Sequence, residues 1–77
     1  MSTPLAQRIA LNVRSELARR SMTQAELAGH LFGKVTNTTR NLVWRRVSGI
    51  VPFSIEELAK TAAYLDVTID SLYLDIL

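Results

Sequence analysis

Asn41 and Arg45 stand four residues apart in the segment NTTRNLVWRRV, one turn apart if that segment is helical. Their side chains suit one kind of chemistry in particular. In the major groove of duplex DNA, Arg pairs with the O6 and N7 of guanine and Asn with the N6 and N7 of adenine, each through two hydrogen bonds. Counting about 100° per residue from Val43 gathers Thr38, Asn41 and Arg45 opposite it, with Asn37 and Ser48 at the edges. Upstream, Thr23 and Gln24 stand where a helix should begin, and the free N–H groups of a helix start suit a phosphate. Lys34, Thr36 and Arg40 surround the expected start of the later helix and are types that contact the DNA backbone. Asn37 and Thr38 join them on the same ground. For all of these the competing reading is a solvated polar face, and turns are rich in Thr and Asn for reasons of backbone geometry alone.

Five helices are expected to carry these residues. Thr3-Pro4 should open the first, with Thr as cap and Pro at the first helical position. Leu5, Ile9, Val13 and Leu17, with Ala6 and Ala10 beside them, should form its buried face, and the line Arg8, Asn12, Ser15, Arg19 a polar one. Thr23 with Glu26 makes a capping box for helix two, whose inner face is Leu27, Ala28 and Leu31 and whose terminator is Gly33. Residues 32–37, FGKVTN, read as an irregular turn. Helix three should start near Thr36–Thr38 and run to about Val47, with Val43 and Val47 facing inward and Ser48-Gly49 ending it. Pro52 breaks the chain before a second capping box, Ser54 with Glu57. Ile55, Leu58, Ala62 and Leu65 should be the buried face of helix four. Helix five, capped by Thr68, should cover about Ile69 to Asp75, with Ile69, Leu72, Tyr73 and Ile76 as its apolar positions. The fold class expected is all-α: one small domain, a bundle of five short helices.

Composition narrows the chemistry further. The 77 residues include no Cys, which excludes disulfides and thiolate-bound metal, and one His, His30, read as a surface or helix-end residue rather than a ligand. With no phosphate-cradling Gly loop and no paired carboxylates in a probable cleft, an enzyme is not expected, nor a cofactor or a small-molecule substrate. No apolar run nears the roughly 18 residues that span a bilayer, and MSTPLAQR lacks the order of a signal peptide, so a soluble, unprocessed chain in a reducing cytoplasm is expected. The net charge of +2 is unevenly spread. Residues 1–49 hold eight basic and two acidic residues, a net +6, while residues 50–77 hold one basic and five acidic, a net −4. Such a molecule turns its basic end toward a polyanion, although lopsided charge also serves solubility. Arg46 is read as a partner for an acid of the C-terminal half, and Arg14, Arg20 and Lys60 as surface charges.

Two blocks resemble a known family. Thr23-Gln24-x-Glu26-Leu27-Ala28 is similar to the TQxxLA opening of helix two in the Cro/repressor-type (Xre) helix-turn-helix proteins, and VSGIVPFSIEELAKTAAYLDVTIDSL to their downstream pattern. The match covers roughly residues 5–73, with both blocks in the right order. It implies a lambda-repressor-like domain with the helix-turn-helix at about 23–48 and helix three in the major groove. Counting back from Gly49, it implies base-reading positions at Arg40, Asn41, Trp44 and Arg45, and a phosphate-contacting, helix-bracing role for Gln24. The span from Gln24 to Gly49 is longer than the family's usual one, and the usual Gly-Val-Ser turn is replaced by FGKVTN, an enlarged turn at about 32–37. For Trp44 itself, packing against neighbours, in the core or partly buried, is expected ahead of a thymine-methyl contact.

The function expected is therefore sequence-specific binding of a double-stranded DNA operator by a short, phage-like transcriptional regulator of a bacterial or phage-infected cell. The alternative is a protein-interaction module on the same scaffold, an antitoxin or adaptor. The tail Leu72-Tyr73-Leu74-Asp75-Ile76-Leu77 is apolar enough either to pack a homodimer or to finish the monomer's own core.

Overall fold

Starting signals decide where the helices of the computed structural model begin. The structure describes residues 4–73, and the order is α1 (Leu5–Arg19), α2 (Gln24–Phe32), α3 (Asn37–Val47), α4 (Ile55–Leu65) and α5 (Ile69–Tyr73). The protein is all-α, with no strand among the described residues. Both expected capping boxes are present. The Thr23 hydroxyl accepts from the Glu26 N–H at 3.1 Å while the Thr23 N–H donates to the Glu26 carboxylate at 2.9 Å. Ser54 and Glu57 repeat the arrangement at 3.1 and 3.0 Å. At α1 the expectation needs correction: Pro4 is itself the cap and makes no side-chain cap bond, while Thr3 lies outside the described residues. Helix five is described to Tyr73, so Asp75 and Ile76 also lie outside.

The core gathers Val13 and Leu17 of α1, Leu27, Ala28 and Leu31 of α2, Val43 and Val47 of α3, Leu58, Ala62 and Leu65 of α4, and Leu72 of α5. Two expectations about burial are corrected. Leu5 is 55 % exposed, because a strict four-residue repeat precesses by about 40° per step on a 3.6-residue helix. By Leu17 that drift amounts to about 120°, so the stripe that faces the core is Ala10, Val13 and Leu17. Ile55 is 79 % exposed. It is the first residue of α4 and lies at the edge of the face that Leu58, Thr61, Ala62 and Leu65 bury. Ile69 and Tyr73 are also exposed, leaving Leu72 as the buried residue of α5. Leu72 thus belongs to the monomer's own core, and residues 74–77 of the apolar tail lie outside the described residues.

Two threonines fill core positions that apolar patterning does not reveal. Thr61 is fully buried and its hydroxyl donates to the Glu57 carbonyl at 2.8 Å. Thr39 is buried with its hydroxyl similarly satisfied, as described below. Longer-range ties complete the scaffold. The Asn12 side-chain amide donates to the Leu72 carbonyl at 2.7 Å, fastening α5 to α1. His30, exposed in the last turn of α2, stacks on Tyr64 of α4 with ring centres 4.4 Å apart. Gly49, at φ 80°, ends α3 where a left-handed residue is required, and a Cβ there would lie 3.0 Å from Gln7 Cγ. No described helix is long and apolar enough to cross a membrane.

Candidate nucleic-acid interface

The turn between α2 and α3 is tighter than the sequence suggests. Helix α2 continues through Phe32 and closes on left-handed Gly33 at φ 78°, and Asn37 already belongs to α3. The irregular segment is therefore residues 33–36, one residue shorter at each end than the expected 32–37. Thr36 caps α3, and the third residue of the helix, Thr39, answers it. The Thr39 N–H donates to the Thr36 hydroxyl at 3.1 Å and the Thr36 N–H donates to the Thr39 hydroxyl at 2.9 Å. The Thr39 hydroxyl also donates to the Lys34 carbonyl at 2.8 Å, so one buried side chain ties the turn to the first turn of α3. Sequence reasoning passed over Thr39. The signal was there as Thr36-x-x-Thr39, a capping box with Thr in the place usually held by Glu or Gln.

Thr39→Val keeps the shape and removes the hydroxyl, leaving the Lys34 carbonyl and the Thr36 N–H without this partner. The expected cost is about 1–2 kcal/mol, measured as a lower urea midpoint, with faster hydrogen exchange at the Thr36 amide.

Arg46 fixes the rotation of α3 from its inner side. Its Nε donates to the Glu57 carboxylate at 2.8 Å, its Nη1 to the Leu42 carbonyl at 2.9 Å, and its guanidinium lies 5.6 Å from the Phe32 ring centre. One arginine thus joins the end of α2, the body of α3 and the start of α4, as the expected pairing with a C-terminal acid implied. Burial pushes the Glu57 carboxyl up, but hydrogen bonds from Arg46 and the Ser54 N–H, with the Arg46 charge, outweigh this and hold it below the usual glutamate value.

With α3 held this way, Arg40, Asn41, Trp44 and Arg45 are all exposed. Arg40, Asn41 and Trp44 line a groove of about 600 Å³ together with Thr23, Gln24 and Ala25 from the start of α2. Arg45 lies outside this lining, farther round the same helix. Trp44 is 50 % exposed, so packing in the core is not its role. Of the phosphate-contacting candidates, Thr23 and Gln24 line the groove; Lys34, Thr36, Asn37 and Thr38 are exposed but do not. The hydroxyls of Thr23 and Thr36 are engaged in their caps. The boxes also take the N–H groups of Thr23, Glu26, Thr36 and Thr39, which leaves those of Gln24 and Ala25 on α2 and of Asn37 and Thr38 on α3 for an outside partner.

The cations fall into two groups. Arg46 is bound to Glu57, Arg19 to Glu16 at 3.4 Å, Arg20 also to Glu16, and Arg8 is engaged. Arg20 is therefore not the free surface charge expected of it. The side chains of Arg14, Lys34, Arg40, Arg45 and Lys60 make no ion pair or hydrogen bond among the described residues. Of these five, Lys34 lies in the turn and Arg40 and Arg45 on α3, while Arg14 lies on α1 and Lys60 on α4. No group of three or more His, Cys, Asp or Glu that could hold a metal occurs among the described residues. No protein-family model, curated protein or solved structure matches the chain.

Proposed function

We propose that the protein binds double-stranded DNA with α3 in the major groove, as a regulator of the Cro/repressor kind acting in the cytoplasm. The observation that carries the reading is the groove that joins the start of α2 to the outward face of α3, flanked by cations without internal partners. A helix fits the major groove, and Arg and Asn are the types that read guanine and adenine there. Asn41 and Arg45 supply base contacts, with Arg40 and Trp44 beside them. Gln24, with the free N–H groups at the start of α2, takes a phosphate, and Lys34, Asn37 and Thr38 reach the backbone beyond. One such unit covers little DNA, so a second copy bound about one duplex turn, roughly 34 Å, away completes an operator.

Salt dependence tests this against the alternative of a protein-binding module. Binding to a mixed-sequence duplex should weaken with a log–log slope of about −0.9 per phosphate contacted, so several contacts give a steep line. Absence of binding to duplex DNA at low salt, or affinity indifferent to salt, would overturn the reading.

A further inference from the structure

Trp44 differs in kind from the rest of the groove. It sits one helical turn from Arg40 and three residues from Asn41, so all three meet on one surface of α3. Half of its surface is open, and the other lining residues are Thr23, Gln24, Arg40 and Asn41, with Ala25 the one apolar companion. An indole left half in water loses the hydrophobic gain that a partner would supply. The edge of a base pair offers one apolar group in the major groove, the C5-methyl of thymine. 5-Methylcytosine carries the same group at the same ring position.

Given the DNA-binding reading on which this rests, we propose that Trp44 and Ala25 form an apolar pocket for the C5-methyl of a pyrimidine, which makes Trp44 a specificity-determining residue. The methyl lies next to the base pair read by Asn41, since Asn41 and Trp44 are neighbours on the helix surface. Hydrogen bonding by Asn41 then selects one base, and Trp44 selects its neighbour by shape and apolar contact. The indole N–H gives a different role to exclude, because it can donate to a phosphate, a contact indifferent to sequence.

The test uses duplexes enriched from a random-sequence pool on the full chain. In the tightest of them each thymine is replaced in turn by deoxyuridine, and each cytosine by 5-methylcytosine. At one position per bound copy, loss of the methyl should weaken binding roughly fourfold, as expected for one apolar carbon left uncovered. If cytosine occupies that position, adding the methyl should strengthen binding by a similar factor. Trp44→Ala should erase this sensitivity, and Trp44→Phe, which keeps an apolar face without the N–H, should retain it. Circular dichroism of both variants checks that they fold. A parent protein indifferent to every replacement, or a Trp44→Ala variant as methyl-sensitive as the parent, overturns the proposal. Binding without methyl dependence sinks this assignment alone, whereas no enrichment and no binding to any duplex sinks the DNA-binding reading with it.

Discussion

Replacing Asn41 and Arg45 together by Ala is expected to weaken binding to a selected operator by about 2–5 kcal/mol, at least roughly 30-fold, without loss of fold. Each base contact of this kind contributes about 1–3 kcal/mol, and the two residues are close enough to couple, so the sum is not additive. The fold should persist because both side chains are exposed, and the helix ends near them are held by backbone bonds. The Ile50 and Val51 N–H groups, for instance, donate to the Arg45 carbonyl at 2.9 and 3.2 Å. Competition binding between the operator and a scrambled duplex separates the roles. Asn41→Ala should lose preference for the operator while keeping its affinity for the scrambled duplex. Arg45→Ala should lose both preference and some general affinity, since an Arg also attracts phosphate. Equal operator affinity for parent and double variant would remove α3 as the reading element.

The second large effect concerns the support behind that helix. Glu57→Ala takes away the answering half of the α4 capping box, at about 1 kcal/mol, and leaves Arg46 without its carboxylate. The two side chains are 15 % and 19 % exposed, between a surface pair and a buried one, so the unpaired guanidinium adds about 1–2 kcal/mol. The whole loss, about 2–3 kcal/mol, is a large fraction of a small domain's stability. It should be seen in urea unfolding followed by Trp44 fluorescence. Glu57→Gln keeps an oxygen for the cap and loses only the charge, so its cost should be about half. The pH dependence has a definite sign. The folded carboxyl titrates below its unfolded value near 4.5, so its stabilisation is complete above that pH and disappears as pH falls through the folded value. The stability difference between parent and Glu57→Gln should accordingly shrink below about pH 4.5. A difference that stays constant down to pH 3 would show that the charge of Glu57 contributes nothing.

Local signals in the sequence read well, and non-local ones did not. Thr23 with Glu26 and Ser54 with Glu57 placed two helix starts correctly, because a capping box is written within four consecutive residues. Gly33 and Gly49 marked two helix ends for the same reason, with the left-handed backbone angles observed there. Leu5 misled because it continued a repeat of four, whereas burial on a helix follows a period of 3.6. Ile55 misled because it lies at the edge of the face that Leu58, Thr61, Ala62 and Leu65 bury, which a spacing of three and four does not reveal. The bond from Asn12 to the Leu72 carbonyl spans sixty residues, and nothing in either local stretch announces it.

Legibility of the candidate site divides along the same line. The outward direction of Asn41 and Arg45 followed from counting residues away from Val43, and both are exposed as expected. The exposure of Trp44 did not follow, since an indole beside Val43 packs inward as readily as outward until the neighbours are known. Thr39 falls within the expected helix three, where no apolar pattern marks it as buried. Its burial follows from the bonds to Lys34 and Thr36, which exist only once the chain has folded back on itself.

The most direct test of the central claim, that the start of α2 and the outward face of α3 engage duplex DNA, is amide chemical-shift mapping. Isotope-labelled protein would be titrated with mixed-sequence duplex at low salt. The largest shifts should fall on Gln24, Ala25, Asn37, Thr38, Asn41 and Arg45, and on the indole N–H of Trp44. Shifts concentrated on the α4–α5 side, around Ile55, Lys60 and Asp70, or no shifts at all, would contradict the account.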